Sequence, residues 1–325
     1  MAETFYSQIA ANRRNSILLA LVVSILFAAL GFSIGYAISG TSSGALAVMA
    51  FALILGGVLS VGTYFGGDSI VLAASQAREI DAQAAPQLFN VVQELTIAAN
   101  LPMPKVYVID DTAPNAFATG RDPRHASVAI TTGLLEKLDR EELQGVMGHE
   151  LSHVRNYDIR FALLVAVMVG SIALIADFFL RFSFWGGMSR SRRDDRDGGN
   201  GLQAVMAVVA IVLSILAPIA SWLVQLAVNR QREYLADASS VQLTRNPSGI
   251  ERALAKISED QEVLEVANRA TQHMYFTNPI KQFEERSKGL FSTHPATLDR
   301  INRLRKLTGD QPLEGADAAQ LSGLD

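Results

Sequence analysis

Two histidines four residues apart, His149 and His153, bracket Glu150 in the stretch "GVMGHELSHV". On a helix that spacing projects both imidazoles from one face. The pattern H-E-x-x-H suits a zinc ion held by the two histidines, with the glutamate as general base. A pair of solvated surface histidines is the other reading. The flanking Val146, Met147, Leu151 and Val154 oppose it, because they make the helix amphipathic and bury one side.

Zinc needs a third protein ligand. The chain has no Cys and five His, namely His125, His149, His153, His273 and His294, so a metal must be held by His, Asp or Glu. No third His follows the pair at a short fixed distance. The stretch "NRQREYLADASS" instead supplies Glu233, with Asp237 four residues on. That spacing lets Glu233 reach a metal while Asp237, one turn later, accepts the proton of a ligating imidazole and fixes its tautomer. The competing reading of Glu233 is a surface carboxylate beside Arg230 and Arg232.

Other candidates are weaker. Asn115, followed by Ala116 and Phe117 in "NAFATG", opens a stretch that suits an edge strand, and such a strand binds a peptide by backbone pairing. Asn115 as a simple turn residue stays open beside it. His294, before Pro295 and a helical pattern, is placed either to stabilise an oxyanion or to cap a helix. His125 and His273 read as loop residues with no partner. Gly56, Gly57 and Gly62 read as helix-packing positions. Asp177 reads either as a polar pathway residue or as the outer end of an apolar span.

These residues need elements to carry them. Asp139 and Glu142 form a capping-box pattern that starts a helix over "DREELQGVMGHELSHVRNYD". "KVYVID" and "SVAIT" read as strands, with "NAFATG" extended between them. Leu88, Val91, Val92 and Leu95 recur at helical spacing. "SGIERALAKISED" and "ATLDRINRLRKL" are also helical in pattern. Around these blocks lie four apolar runs, at about Ile17–Ile38, Ala45–Phe65, Phe161–Phe179 and Leu202–Val228, each near the length a bilayer crossing needs. Hydrophobic residues make up 49% of the 325 and charged residues 18%, a balance that leans towards a membrane protein. The net charge of −4 gives no sign of a nucleic-acid binder.

The fold expectation is a mainly α membrane protein with four transmembrane helices and a cytoplasmic α+β domain containing a small β-sheet. Residues 1–66 form an uncleaved N-terminal hairpin. Residues 67–158 and 229–307 are the two parts of the catalytic domain. Residues 159–228 are a second hairpin with an Arg-rich loop, and 308–325 a flexible tail. Arg13, Arg14, Arg78, Arg155, Arg160, Arg230 and Arg232 fall near span ends on one side, which the positive-inside rule makes cytoplasmic. The five Arg between 181 and 196 argue the other way if the second hairpin crosses. Because the His pair just precedes one apolar run and Glu233 just follows the next, the hairpin would bring together ligands 80 residues apart. A site so close to lipid implies substrates that are membrane proteins or segments emerging from the bilayer.

In "LPMPKVYVID", "PNAFATG", "GVMGHELSHV", "REYLADASS" and "FSTHPATLDRI" the chain resembles the HtpX-type membrane zinc metalloproteases, relatives of the CAAX prenyl endopeptidases. The resemblance covers nearly the whole chain, in the same order. It implies a gluzincin-like domain, one zinc held by His149, His153 and Glu233, and Glu150 as the catalytic residue. It also implies Asp237 behind the ligands, with His294 and the Asn115, Ala116 and Phe117 stretch beside the substrate. Its implied task is cleavage of damaged or misfolded membrane proteins at the bacterial cytoplasmic membrane, in envelope stress. Asn229, where relatives often have Ser, is a departure that touches no ligand. A catalytically silent zinc-containing scaffold is the alternative, and the presence of Glu150 opposes it. A metal transporter would need ionisable residues in several spans, where only Asp177 occurs.

Overall fold

The computed structural model of the protein describes residues 5–163, 177, 181, 200–260, 262, 276 and 295–314. The chain divides into two compact units, one made of residues 1–12, 65–163 and 226–325, the other of 13–64 and 164–225.

The second unit is built on apolar helices. Helix α1 (Phe5–Ser39) turns at Gly40 into α2 (Ser42–Ala74). The two pack through small residues: a Cβ on Gly35 would lie 2.8 Å from the Cα of Ala45. Such close backbone approach is how helices associate where water supplies no driving force. The hydroxyls of Ser33 and Ser60 donate back to the carbonyls of Ala29 and Gly56, each at 2.7 Å, so these two polar groups are met within their own helices. Among the described residues α2 is the one helix long and apolar enough to cross a membrane. Shorter apolar stretches run over Ser24–Ser39 and Ala204–Leu216. The apolar run expected at Phe161–Phe179 lies mostly outside the described residues. Gly56 does pack, against the Phe27 ring, but Gly57 and Gly62 meet no side chain within 4 Å.

The first unit carries a four-stranded sheet in the order β1-β2-β4-β3. Its strands are β1 (Arg78–Glu79), β2 (Lys105–Ile109), β3 (Ala116–Gly120) and β4 (Ala126–Thr131). Strand β4 runs parallel to β2 and antiparallel to β3, which leaves β3 at the edge as expected. Helix α3 (Pro86–Ala99) buries Leu88, Val91, Val92 and Leu95, the four residues at helical spacing. The short α4 (Thr132–Lys137) leads into α5 (Arg140–Arg155), which carries the expected capping box between Asp139 and Glu142. Helices α6 (Asn200–Thr244), α7 (Pro247–Glu259) and α8 (Thr297–Thr308) follow.

Helix α5 sits centrally, against α3, α7 and β3. Its Leu143, Val146, Met147 and Leu151 join Leu88, Val128, Ile130, Leu254 and Ile301 in one core. Two glycines let its neighbours come close. A Cβ on Gly145 would meet the Ile250 nitrogen at 2.6 Å, and one on Gly148 would meet Ser240 Oγ at 2.8 Å. Ser240 Oγ uses that gap to donate to the Gly145 carbonyl at 2.6 Å. Thus the glycines before the His pair hold the helix against α6 and α7, at a cost in helix propensity.

Candidate metal centre

Helix α5 presents His149 and His153 one turn apart, and α6 brings Glu233 to them. The two Nε2 atoms face each other at 3.1 Å, with the rings nearly perpendicular at 85°. One Glu233 oxygen lies 3.5 Å from His149 Nε2, and the other 3.5 Å from His153 Nε2. Two donors held at about 2.0–2.1 Å by a tetrahedral zinc ion sit about 3.3 Å apart. The observed gaps fall on either side of that figure.

Hydrogen bonds behind the site fix the two imidazole rings. His149 Nδ1 lies 2.8 Å from Asp237 Oδ1, and His153 Nδ1 lies 3.1 Å from Asp158 Oδ2. A carboxylate only accepts, so each Nδ1 carries its hydrogen and each neutral ring turns a lone pair outward at Nε2. Two lone pairs and a carboxylate therefore converge on one point. A cation bound between them satisfies that convergence. Burial alone would lower the His149 pKa, but bonds to Asp237 and Glu233 outweigh it and raise the pKa to about 9. The site thus draws positive charge strongly.

Arg300 from α8 closes the far side. Its Nε donates to Asp237 Oδ2 at 2.9 Å and its Nη2 to Oδ1 at 2.7 Å, with both side chains buried. Burial pushes the Asp237 pKa up, yet Arg300 and His149 hold it below the ordinary range. Phe276 stacks edge-on against His149 at 4.8 Å and lies under the Arg300 guanidinium at 4.7 Å.

Glu150 is 1% exposed. Burial raises its pKa, and the nearby His149 and His153 only partly offset this. A carboxylate of raised basicity beside a metal-binding trio is suited to take up a proton.

A family profile described as "Peptidase family M48" matches residues 82–308. The chain belongs to this family. Its relatives include the "Protease HtpX homolog" of Streptococcus uberis, 44% identical over 302 residues that span 93% of this chain and 99% of the relative. The "Protease HtpX homolog" of Lactiplantibacillus plantarum is also 44% identical, over 303 residues with the same coverage of both chains. The crystal structure of Ste24p from S. mikatae aligns over 92% of this chain and 67% of its own, at 15% identity and a TM-score of 0.47. Membership of the M48 peptidase family makes the chain a metallopeptidase, acting on peptide or protein substrates, and a His-His-Glu group is positioned in it to bind a metal ion.

The remaining sequence candidates fare differently. Asn115 is buried at the head of β3. Its N–H donates to Thr131 Oγ1 at 2.9 Å and its side-chain oxygen accepts from the Ala116 N–H at 3.0 Å. The Ala116 carbonyl accepts from the Phe276 N–H at 2.7 Å. The Phe117 ring packs in a core with Val71, Leu72, Ile109 and Leu163, so that side chain offers nothing to a peptide. His294 and His273 lie outside the described residues. His125 has a partner after all: it sits in a short 3-10 turn (Pro123–His125) with Nδ1 2.9 Å from Asp122 Oδ1. Asp177 is exposed and accepts from Arg181 at 2.7 Å.

Sequence reasoning missed Asp158, Arg232, Arg300 and Phe276. It assigned Arg232 to a row of Arg at span ends, whereas Arg232 is buried, with its guanidinium 3.6 Å above the Phe161 ring. The available signals were the closeness of Asp158 to the His pair and of Arg232 to Glu233. Nothing local marks Arg300.

Proposed function

We propose that the chain is a zinc-dependent endopeptidase of a bacterial cytoplasmic membrane, facing the cytoplasm, that cleaves damaged or misfolded membrane proteins in envelope quality control. The observation that carries this reading is the convergence of His149 Nε2, His153 Nε2 and the Glu233 carboxylate, with both histidine Nδ1 atoms held by buried carboxylates.

In this reading His149, His153 and Glu233 hold one zinc ion. Bound there, zinc would bring the pKa of a water towards about 7 and polarise the scissile carbonyl. Glu150 takes the proton of the attacking water and passes it to the leaving amine. Its burial suits both halves of that transfer, since it raises the affinity for the proton in between. Asp237 keeps His149 in the tautomer that turns Nε2 to the metal. A substrate backbone pairing along the edge of β3 at Asn115 and Ala116 displaces the Phe276 N–H from the Ala116 carbonyl, and His294 stabilises the oxyanion.

The membrane part of the reading rests on chain order. The apolar runs of 1–66 and 159–228 form two hairpins, and the catalytic parts 67–158 and 229–307 follow each, ahead of the tail 308–325. The His pair and Glu233 flank the second hairpin, which tethers the site beside lipid and favours membrane proteins as substrates. A silent scaffold would have no use for a buried carboxylate at Glu150.

The test is Glu150→Gln in the full chain purified in detergent. Zinc should remain at one per chain while casein cleavage falls by about 10²- to 10⁴-fold, the usual weight of general acid–base catalysis. A metal-free variant, or one as active as the unchanged chain, would sink the role.

A further inference from the structure

Helix α5 ends two residues after His153, and the way it ends is unusual. Asn156 is the C-cap, and Tyr157 follows with φ +62°, in the left-handed region. That position normally falls to Gly or Asn, because a side chain there crowds the backbone. A bulky aromatic persists in it only when the surroundings impose it. The reversal at Tyr157 has one clear product. It carries the Asp158 carboxylate back to His153 Nδ1, at 3.1 Å.

Asp158 is itself held. It is 4% exposed, and Arg232 Nε lies 3.4 Å from its other oxygen. Arg232 is 6% exposed and lies flat on Phe161, 3.6 Å from the ring centroid. A buried, planar guanidinium stacked on an aromatic ring has few other positions to take. Arg232 also directly precedes Glu233. One turn of α6 therefore delivers a carboxylate to the His pair and fixes the partner of one of those histidines.

We propose that Asp158 and Arg232 are positioning residues for His153. Asp158 accepts the Nδ1 hydrogen and so aims the Nε2 lone pair at the metal, while Arg232 fixes Asp158 and ties its place to that of Glu233. The pair plays for His153 the part that Asp237 and Arg300 play for His149, with a single ion-pair contact at 3.4 Å in place of two hydrogen bonds. This rests on the zinc reading of the site given above, and neither residue contacts the reacting atoms.

The test compares the unchanged full chain in detergent with Asp158→Ala, Asp158→Asn and Arg232→Gln. Zinc affinity is read by competition with a chromophoric chelator, the cobalt(II)-substituted visible spectrum reports the ligand set, and thermal unfolding of the chelated protein reports folding. Asp158→Ala is expected to weaken zinc by about 10- to 100-fold, the usual effect of removing a partner behind a ligating histidine. Its cobalt bands should lose intensity as His153 swings out. Asp158→Asn keeps a side-chain oxygen to accept from Nδ1 and should recover most of the affinity. Arg232→Gln should weaken zinc by several-fold. If Asp158→Ala does not fold, the Asn and Gln variants carry the test. Zinc affinity and cobalt bands unchanged in Asp158→Ala, or in Arg232→Gln where Ala does not fold, overturn the inference and leave the metal site standing. An unchanged chain that binds no zinc overturns both.

Discussion

Asp237 and Arg300 are joined by two hydrogen bonds at 2.7 and 2.9 Å, and the Asp237 oxygen on the shorter one also lies 2.8 Å from His149 Nδ1. The fork makes the orientation of His149 depend on a residue 151 positions away. A lone buried carboxylate would be costly, because desolvation favours its neutral form. Arg300 removes that cost by supplying a charge with matching planar geometry.

Arg300→Ala should therefore destabilise the fold by about 3–5 kcal/mol, the usual result of breaking a buried ion pair from one side. Arg300→Lys should restore little, since an ammonium cannot make the two parallel bonds. Denaturant unfolding of both variants in detergent checks this, and a Lys variant as stable as the unchanged chain would refute it.

Glu233→Ala should lose most of its bound zinc, whereas Asp237→Ala should keep the ion with affinity lowered by about 10- to 100-fold. Metal content after dialysis against a weak chelator separates the two. Full occupancy in Glu233→Ala would mean that another carboxylate is the ligand.

Gly145→Ala tests the close approach of α5 and α7. Helix propensity alone favours the substitution by about 1 kcal/mol. The new Cβ, however, would lie 2.6 Å from the Ile250 backbone nitrogen, where no flexible side-chain end can give way. Crowding of that kind costs about 1–3 kcal/mol, so the expected sign is destabilising. Gly201→Ala, which meets no atom within 4 Å, serves as the control and should be neutral or slightly stabilising. A higher melting temperature for Gly145→Ala would contradict the packing argument.

The second hairpin is proposed to cross the bilayer fully, with the loop around "SRSRRDDRDGGNG" on the outer face. Burial of Arg232 against Asp158 and Phe161 removes one cation from the cytoplasmic tally, but Arg13, Arg14, Arg78, Arg155, Arg160 and Arg230 remain. Ser191→Cys in this Cys-free chain should react with an impermeant maleimide on intact cells. Protection until lysis would place the loop inside.

Much of the site was legible because its first part is local. Helical periodicity alone aligns His149 with His153, and the Asp139 and Glu142 cap marks where that helix begins. The same periodicity, applied to Glu233 and Asp237, found a carboxylate and a partner one turn on, in agreement with the geometry of α6. The core face of α3 was readable for the same reason, since burial imposes a period on the sequence, whereas β2 and β4 showed as short β-branched runs with β3 extended between them; β3 and β4 are buried at every residue and carry no alternation. What the sequence could not supply is which buried charges meet. Asp158 reaches His153 only because the chain reverses at Tyr157, in a conformation that no tyrosine prefers by itself. Arg232 looks like any cation at the end of an apolar run until Phe161 and Asp158 enclose it. Arg300 meets Asp237 only after α8 packs against the core. Periodicity is a property of neighbouring residues, whereas the pairing of charges across elements depends on distances that exist only once the chain has folded.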